Sequence, residues 1–566
     1  MNTIRINLST KQWKVEALSH DDILLGGRML TSKLLHEEVP AGCNPLGEEN
    51  KIVIAAGALA GTGVSSSGRL SIGGKSPLTG GIKESNAGGT FATSMAKEGL
   101  RAIILEGKMP NGLYLLKIDG DQCEFIPADE YSGLGNFAAA KRIYDTYGKD
   151  YSLITIGQAG EQKLYAAGIS ITDLYGRPSR LAARGGLGAV MGSKGIKGII
   201  INSRGKKLNP NAANNEFKKA RKDFNDIVVN SERIPVLTKY GTASTVMPVN
   251  QIGALPTMNF KLGRFEKADA ISGEAMYDII VERGGTGKTS ESCMQACLIK
   301  CSNVYPDIEG NELCAPIEYE SICLLGSNIG IGNLDEIGKL NYMCNDYGLD
   351  TIDVGGALGI MAEAGYVSFG DIDGFKNILK GLPGGNLQSK LVGMGTAICG
   401  KVLGVERTPA VKNQCMSAYD PRGVKGTGIT YATTPMGADH TAGLTVFAPV
   451  NHHNRDGQIE LSRNMQVTRA AYDSLGLCTF LLGATGANPQ ALINLLNSLY
   501  SLELEVDFLK HLGKKLLLLE IEYNKMAGLS SADQIPEFFL KEKLPPFDLE
   551  WDFSQEELES VLKDLL

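Results

Sequence analysis

No stretch of this 566-residue chain is apolar for long enough to cross a bilayer; runs such as Leu516–Leu519 end after a few positions. A basic surplus is missing as well. Lysine and arginine number 56 against 63 aspartates and glutamates, a net charge of −7, which leaves no excess to neutralise a phosphate backbone and argues against nucleic acid as the main partner. Met1-Asn2-Thr3-Ile4-Arg5-Ile6-Asn7 holds no apolar core of a secretory signal, so the expected location is the cytoplasm. Histidine is scarce, at six residues, which narrows imidazole chemistry to a few positions. The eleven cysteines are an odd count scattered along the chain; that disfavours a disulfide framework and favours reduced thiols, some of them metal ligands.

What remains is an ordinary globular composition, 43% hydrophobic and 21% charged, in a chain long enough for three or four domains. The 69 glycines cluster between Gly57 and Gly107 and between Gly185 and Gly198, where the backbone is expected to take positive φ or to approach a neighbour closely. The first 200 residues carry strand patterning. Ile4, Ile6 and Leu8 alternate with polar residues and Trp13 and Val15 resume the alternation after a Ser-Thr-Lys turn, which is a hairpin; apolar β-leaning runs follow at Ile52–Ala55, Ile103–Leu105, Tyr114–Ile118, Leu153–Ile156 and Ile199–Ile201. A polar, glycine-containing stretch at 203–207 followed by Pro210 marks a boundary, and Gly404–Thr408 a second. Beyond the first boundary the period becomes helical. The chain is therefore expected to be α+β, with a β-rich base at 1–207 and mainly helical domains at 208–404 and 405–566. The acidic segment 548–566 predicts a terminal amphipathic helix acting as a solvated cap.

Asn333, with Glu336 three residues on, signals a helix start ahead of Leu334, Ile337, Leu340 and Met343, and Gly348 suits a left-handed stop. The turn that follows, Asn345-Asp346-Tyr347-Gly348-Leu349-Asp350, is nearly repeated as Asp473-Ser474-Leu475-Gly476-Leu477-Cys478. Two such acidic turns, each behind a helix, predict a pseudo-symmetric cradle for a bulky polar cofactor. Cys293, Cys297 and Cys301 form a compact triplet without a fourth thiol; with Cys478 it would complete the four-thiolate site of a [4Fe–4S] cluster. Zinc, with Cys314 as fourth sulfur, and unliganded thiols are the alternatives. Gly287-Lys288-Thr289 ends like a phosphate-binding loop, but Glu282 stands where its first glycine belongs, so that reading is rejected. Two glycine-rich stretches, Asn86–Thr90 and Arg184–Ala189, run toward helix starts and could aim N–H groups at phosphates, with Arg69, Arg180 and Arg184 supplying charge; tight packing of turns is the plainer account of either alone. His440, in a glycine- and threonine-rich loop, and Glu320, ahead of an apolar run, are candidate proton-handling groups, although either is more often structural.

Taken together, Ile54-Ala55-Ala56-Gly57, Gly68-Arg69, Lys75–Gly80, Asn86, Arg184–Lys194, Glu318-Tyr319-Glu320-Ser321 and Ala418–Gly423 resemble the tungsten or molybdenum aldehyde:ferredoxin oxidoreductases, over nearly the whole chain. The resemblance implies a metal atom held by two pyranopterins whose phosphates share Mg²⁺, with no protein ligand to tungsten. It implies that Arg69, Asn86, Arg180, Leu181, Arg184, Gly185, Gly186, Asn345, Asp346, Gly348, Leu349, Asp350, Asp473, Gly476 and Leu477 hold this cofactor. Cys293, Cys297, Cys301 and Cys478 would hold the cluster, and Glu320 and His440 would flank a small aldehyde. Electrons would pass to a ferredoxin or a ferredoxin-like iron–sulfur subunit. A low-potential reductase and a cluster-only relay subunit are the alternatives. Three departures stand out. The first cysteine gap holds three residues where the family has two; Asn345 replaces an aspartate; and Lys339-Leu340-Asn341-Tyr342 replaces an iron-binding E-x-x-H motif, so a dimer bridged by iron is not expected and the oligomeric state is left open.

Overall fold

The computed structural model describes residues 1–19, 22–202, 206 and 210–565. Apart from Lys206, the expected boundary at 203–207 lies outside the described residues. Ahead of it lie two six-stranded sheets. The first comprises β1 (Asn2–Asn7), β2 (Gln12–Ala17), β3 (Ile52–Ala56), β4 (Leu70–Lys75), β5 (Ile82–Ala87) and β6 (Leu100–Glu106), in the order β2-β1-β6-β3-β4-β5. The second comprises β7 (Tyr114–Asp119), β8 (Gln122–Pro127), β9 (Tyr151–Thr155), β10 (Ile169–Ile171), β11 (Arg180–Ala182) and β12 (Ile196–Asn202), in the order β8-β7-β12-β9-β10-β11. Adding six to each strand of the first sheet reproduces the second. Each contains one parallel pair, β1 with β6 and β7 with β12, among antiparallel neighbours. The base is thus two copies of one motif. Alternating isoleucines and leucines of both sheets, with the helices Phe91–Lys97 and Leu187–Ser193, close a single core between them.

Two helical layers cover this base, and the whole is the expected α+β arrangement. One is built around Leu334–Tyr347 and Thr351–Glu363, with a small sheet of β13 (Lys288–Glu291), β14 (Ser302–Pro306) and β15 (Glu312–Cys314). The other packs Gln458–Ser474 against Asp507–Met526. The helix Leu334–Tyr347 starts as expected: Asn333 Oδ1 accepts from the amides of Asp335 and Glu336, and Gly348 closes it at φ 76°.

The C-terminal segment departs from expectation. Among its described residues only Gln555–Ser560 is α-helical, with a 3-10 turn at Lys563–Leu565, and Trp551, Phe553, Leu558, Val561 and Leu562 are buried rather than solvated. Trp551 packs so closely on Gly428 that a Cβ there would lie 2.4 Å from its ring. An acidic composition concealed apolar anchors spaced for an extended strap. Among the described residues no helix is long and apolar enough to cross a membrane.

Candidate active site

Each acidic turn docks on an equivalent position of one half of the base. Gly348 O accepts from Gly168 N at 2.8 Å, and Gly476 O accepts from Arg69 N at 3.2 Å; Gly168 and Arg69 directly precede β10 and β4. Asp350 N donates to Ala166 O and Cys478 N to Ser66 O, both at 2.9 Å. The approach is close enough to require glycine in the base. A Cβ on Gly57 would lie 2.1 Å from Leu475 O, and one on Gly157 2.3 Å from Tyr347 O. The repeat seen in the sequence is therefore a repeat in space.

Between the turns and the base lie two adjoining cavities of about 210 and 300 Å³. Asn86, Leu181, Glu318, Glu320 and His440 line both. Arg184, Asn345, Leu349 and Asp350 line the first; Arg69, Arg180, Cys293, Cys301 and Cys478 line the second. Gly185, Gly186, Asp346, Gly348, Asp473, Gly476, Leu477 and Cys297 do not line either and stand behind the walls. Asp346 accepts from Phe137 N at 3.1 Å, and Asp473 faces Arg28 at 3.4 Å, so these carboxylates fasten the turns to the base. The two glycine-rich stretches show close packing. A Cβ on Gly185 would meet Lys83, one on Gly186 the Tyr165 carbonyl, and one on Gly89 Ile171. Arg184 is occupied within the protein, donating to Asp350, Ser417 and the carbonyls of Ala438 and Cys415.

Glu320 and His440 meet where the cavities join, with Oε1 and Nε2 3.5 Å apart. Glu320 Oε2 accepts from Ala418 N at 2.8 Å, and Oε1 has no hydrogen-bond partner. Burial raises the Glu320 carboxyl to about 8, against the Ala418 amide and Arg184, and burial lowers the His440 imidazole to about 4, against Asp439. Ser417 Oγ accepts from Arg184 at 3.3 Å and shares a hydrogen bond with His440 Nδ1 at 2.8 Å. With Nδ1 accepting, Nε2 carries the proton and points it at Glu320. Asp439, paired to buried Lys83 at 2.7 Å, fixes the loop bearing His440.

Cys293 donates to Cys297, lowering the latter's thiol to about 6, and Ser66 Oγ donates to Cys297 at 3.5 Å. Burial holds Cys301 and Cys478 above the usual thiol range. Cys314 lies elsewhere, accepting from Asn341 at 2.8 Å. Among the described residues no three of His, Cys, Asp and Glu converge on a single-ion site.

The walls are left chemically unfinished. Arg180 Nε, Arg469 Nη1, Glu84 Oε1 and Glu320 Oε1 are buried without partners around the cavities, which a ligand rich in donors and acceptors would satisfy. Arg469, Ser417 and Glu84 were not found by sequence reasoning; Arg469, one helical turn before Asp473, carried the only usable signal.

Unpaired donors and acceptors beside four thiols are the provision of a cofactor-bearing redox enzyme, the class this architecture defines. The model of the aldehyde ferredoxin oxidoreductase N-terminal domain matches residues 3–203, and that of its domains 2 and 3 matches residues 218–565. The chain belongs to the aldehyde ferredoxin oxidoreductase family. It is 33% identical over 577 residues to the tungsten-containing aldehyde ferredoxin oxidoreductase of Pyrococcus furiosus, covering 96% of this chain and 91% of that one. It is 25% identical over 522 residues to the aliphatic sulfonate oxidoreductase, WOR-like subunit, of the same organism, covering 84% and 78%. The active-site complex BamBC of benzoyl coenzyme A reductase with 1,5-dienoyl-CoA shares the fold, with a TM-score of 0.79 at 18% identity, covering 100% of this chain and 93% of that one.

Proposed function

We propose that this chain oxidises an aldehyde with water to a carboxylic acid, RCHO + H₂O → RCOOH + 2H⁺ + 2e⁻, and passes the electrons to a ferredoxin or a ferredoxin-like iron–sulfur subunit. The observation that carries the reading is the buried Glu320–His440 pair at the junction of the two cavities. The cavities and their unpaired donors suit a tungsten, or molybdenum, bis-pyranopterin with its Mg²⁺. Arg69, Asn86, Arg180, Asn345, Leu349 and Asp350 would hold it from the walls, while Arg184, Gly185, Gly186, Asp346, Gly348, Asp473, Gly476 and Leu477 shape the cradle. Cys293, Cys297, Cys301 and Cys478 would hold a [4Fe–4S] cluster. When bound, these groups supply the two-electron oxidation and the one-electron relay.

The chain's own work is on protons. Glu320, once ionised, takes a proton from water at Oε1; Ala418 N–H fixes the other oxygen. His440 presents Nε2–H to the oxygen that gains negative charge, its tautomer held by Ser417. Tyr319 and Tyr419 line the cavity beside this pair.

Low-potential reduction of an acid or activated aromatic substrate is the second reading, favoured by the names of the sulfonate relative and the reductase of like fold. Anaerobic native protein, assayed in both directions with a viologen dye alongside tungsten, molybdenum and iron analysis, separates them. Aldehyde oxidation with tungsten or molybdenum present supports the first reading; activity only toward reduction overturns it, and iron alone reduces the chain to a relay.

A further inference from the structure

The helices Gln458–Ser474 and Asp507–Met526 touch so closely that a Cβ on Gly513 would lie 2.0 Å from Val467 O. Beside that contact they part around a cavity of about 520 Å³. It is larger than either cavity of the candidate active site and shares no lining residue with them. Close packing leaves few voids wider than a water molecule, and this one falls in the roughly 300–1,000 Å³ range of small-molecule sites. Its body is aliphatic, lined by Val467, Ala471, Leu482, Leu509 and Leu565. Tyr472 adds a ring whose hydroxyl is bonded to Thr485 at 2.8 Å.

The polar part of the lining is cationic. Arg463, Lys510 and Lys514 stand beside a single carboxylate, that of Asp507. Arg463 is engaged by the carbonyls of Ser560 and Val561. The two lysines stand one helical turn apart on the face toward the cavity, and among the described residues neither pairs with a carboxylate. Lys141, Lys222 and Lys541 each have an acidic partner at that spacing. Like charges so placed repel, and an anion set between them removes the cost. We propose that this cavity binds an aliphatic carboxylate, its chain between the helices and its head on Lys510 and Lys514. The site lies apart from Glu320 and His440 and stands independently of the reaction assigned to them.

Calorimetry on the full-length anaerobic holoenzyme tests this with octanoate, against octan-1-ol, butanoate and octyltrimethylammonium. Octanoate should bind at a single site ~10-fold or more tighter than the alcohol, the worth of a hydrogen bond to a charged group, and more weakly as salt is added. Butanoate, with less apolar surface to bury, should bind at least ~10-fold more weakly than octanoate, and the cation should not bind. Lys510→Gln combined with Lys514→Gln should lower octanoate affinity ~10-fold and leave that of octan-1-ol unchanged. Thr468→Phe, which puts a ring into the cavity, should abolish binding of both. Thermal midpoints and metal content equal to the parent's establish that the variants fold. Absent octanoate binding overturns the proposal, as does equal affinity for octanoate and octan-1-ol. Binding that both sets of variants leave unchanged overturns it by placing the acid in the active-site cavities. Lysine-dependent co-sedimentation with phosphatidylglycerol vesicles, without binding of free octanoate, overturns it by assigning the cations to a membrane surface.

Discussion

Oε1 of Glu320 lies 3.5 Å from Nε2 of His440, and burial drives both to their neutral forms, the acid by raising it to about 8 and the base by lowering it to about 4. A Glu320 that works as a base is therefore mostly protonated at neutral pH. Aldehyde oxidation should rise with pH through about 8, while the imidazole, neutral above about pH 4, adds no limb between them. Glu320→Gln should remove the limb and lower kcat ~100-fold or more with tungsten retained. The sign for stability is opposite. A carboxyl raised on folding costs stability progressively as pH climbs from its unfolded value to about 8, at roughly 1.4 kcal/mol per unit of separation. The Gln variant should thus melt higher than the parent at pH 9 and no higher at pH 4. Scanning calorimetry at both values checks this.

How much was legible beforehand follows from how local each signal is. The Ile4–Trp13 hairpin, the Asn333 cap and the left-handed Gly348 are written in neighbouring residues and stand where the sequence put them. The doubling of the sheet order is not, because strand neighbours such as β1 and β6 are remote in sequence. The glycines near Gly185 suggested an anion nest, yet their spacing serves backbone contacts with segments that no motif names. Arg469 and Ser417 gain their roles from partners far along the chain or from a cavity, neither of which leaves a periodic trace.

Ser417 should matter without touching substrate. Its hydroxyl accepts from Arg184 and meets His440 Nδ1 at 2.8 Å; by donating that second bond it would hold the other ring nitrogen in the donating form. Ser417→Ala frees the ring to hold either tautomer. The expected result is a ~10-fold loss in kcat with KM little changed, partly restored in Ser417→Thr; nitrogen chemical shifts of His440 should show mixed tautomers in the alanine variant. A kcat equal to the parent's would remove the relay from the mechanism.

The thiols divide into two groups by position. Cys478→Ser and Cys301→Ala should each lower iron content and the visible absorbance of a cluster. Cys314→Ala, whose sulfur is held by Asn341 away from the cavity, should leave both intact. Iron retained in Cys478→Ser, or zinc at one equivalent lost with Cys314, would instead support a mononuclear site.

Gly57→Ala tests whether the second acidic turn forms the cradle. Its Cβ would sit 2.1 Å from Leu475 O and 2.6 Å from Gly476 Cα, so the turn must retreat, at a cost of about 1–3 kcal/mol or more. Tungsten and iron should both fall while the circular dichroism of the helices persists. Gly42→Ala, where a Cβ meets nothing within 4 Å, is the matched control and should retain both metals.

The same turn is tied to the base through buried charge. Arg28 donates to Glu520 at 2.9 and 2.6 Å and to Asp473 at 3.4 Å, and Ser32 completes Glu520 at 2.9 Å. Arg28 is 1% exposed and Glu520 fully buried. Burial alone would lower the guanidinium, but Glu520, Asp473 and Glu84 together outweigh it and hold the charge. Removing one partner strands the other, so Glu520→Ala should destabilise by about 3–5 kcal/mol, read as a fall in thermal midpoint. Arg28→Met combined with Glu520→Leu should lose much less than the two single changes added together, because no unpaired charge is left between them. If instead the double variant keeps its midpoint but loses tungsten, the triad serves the placement of Asp473 more than the fold; simple additivity of the two losses would show that the pair is not coupled at all.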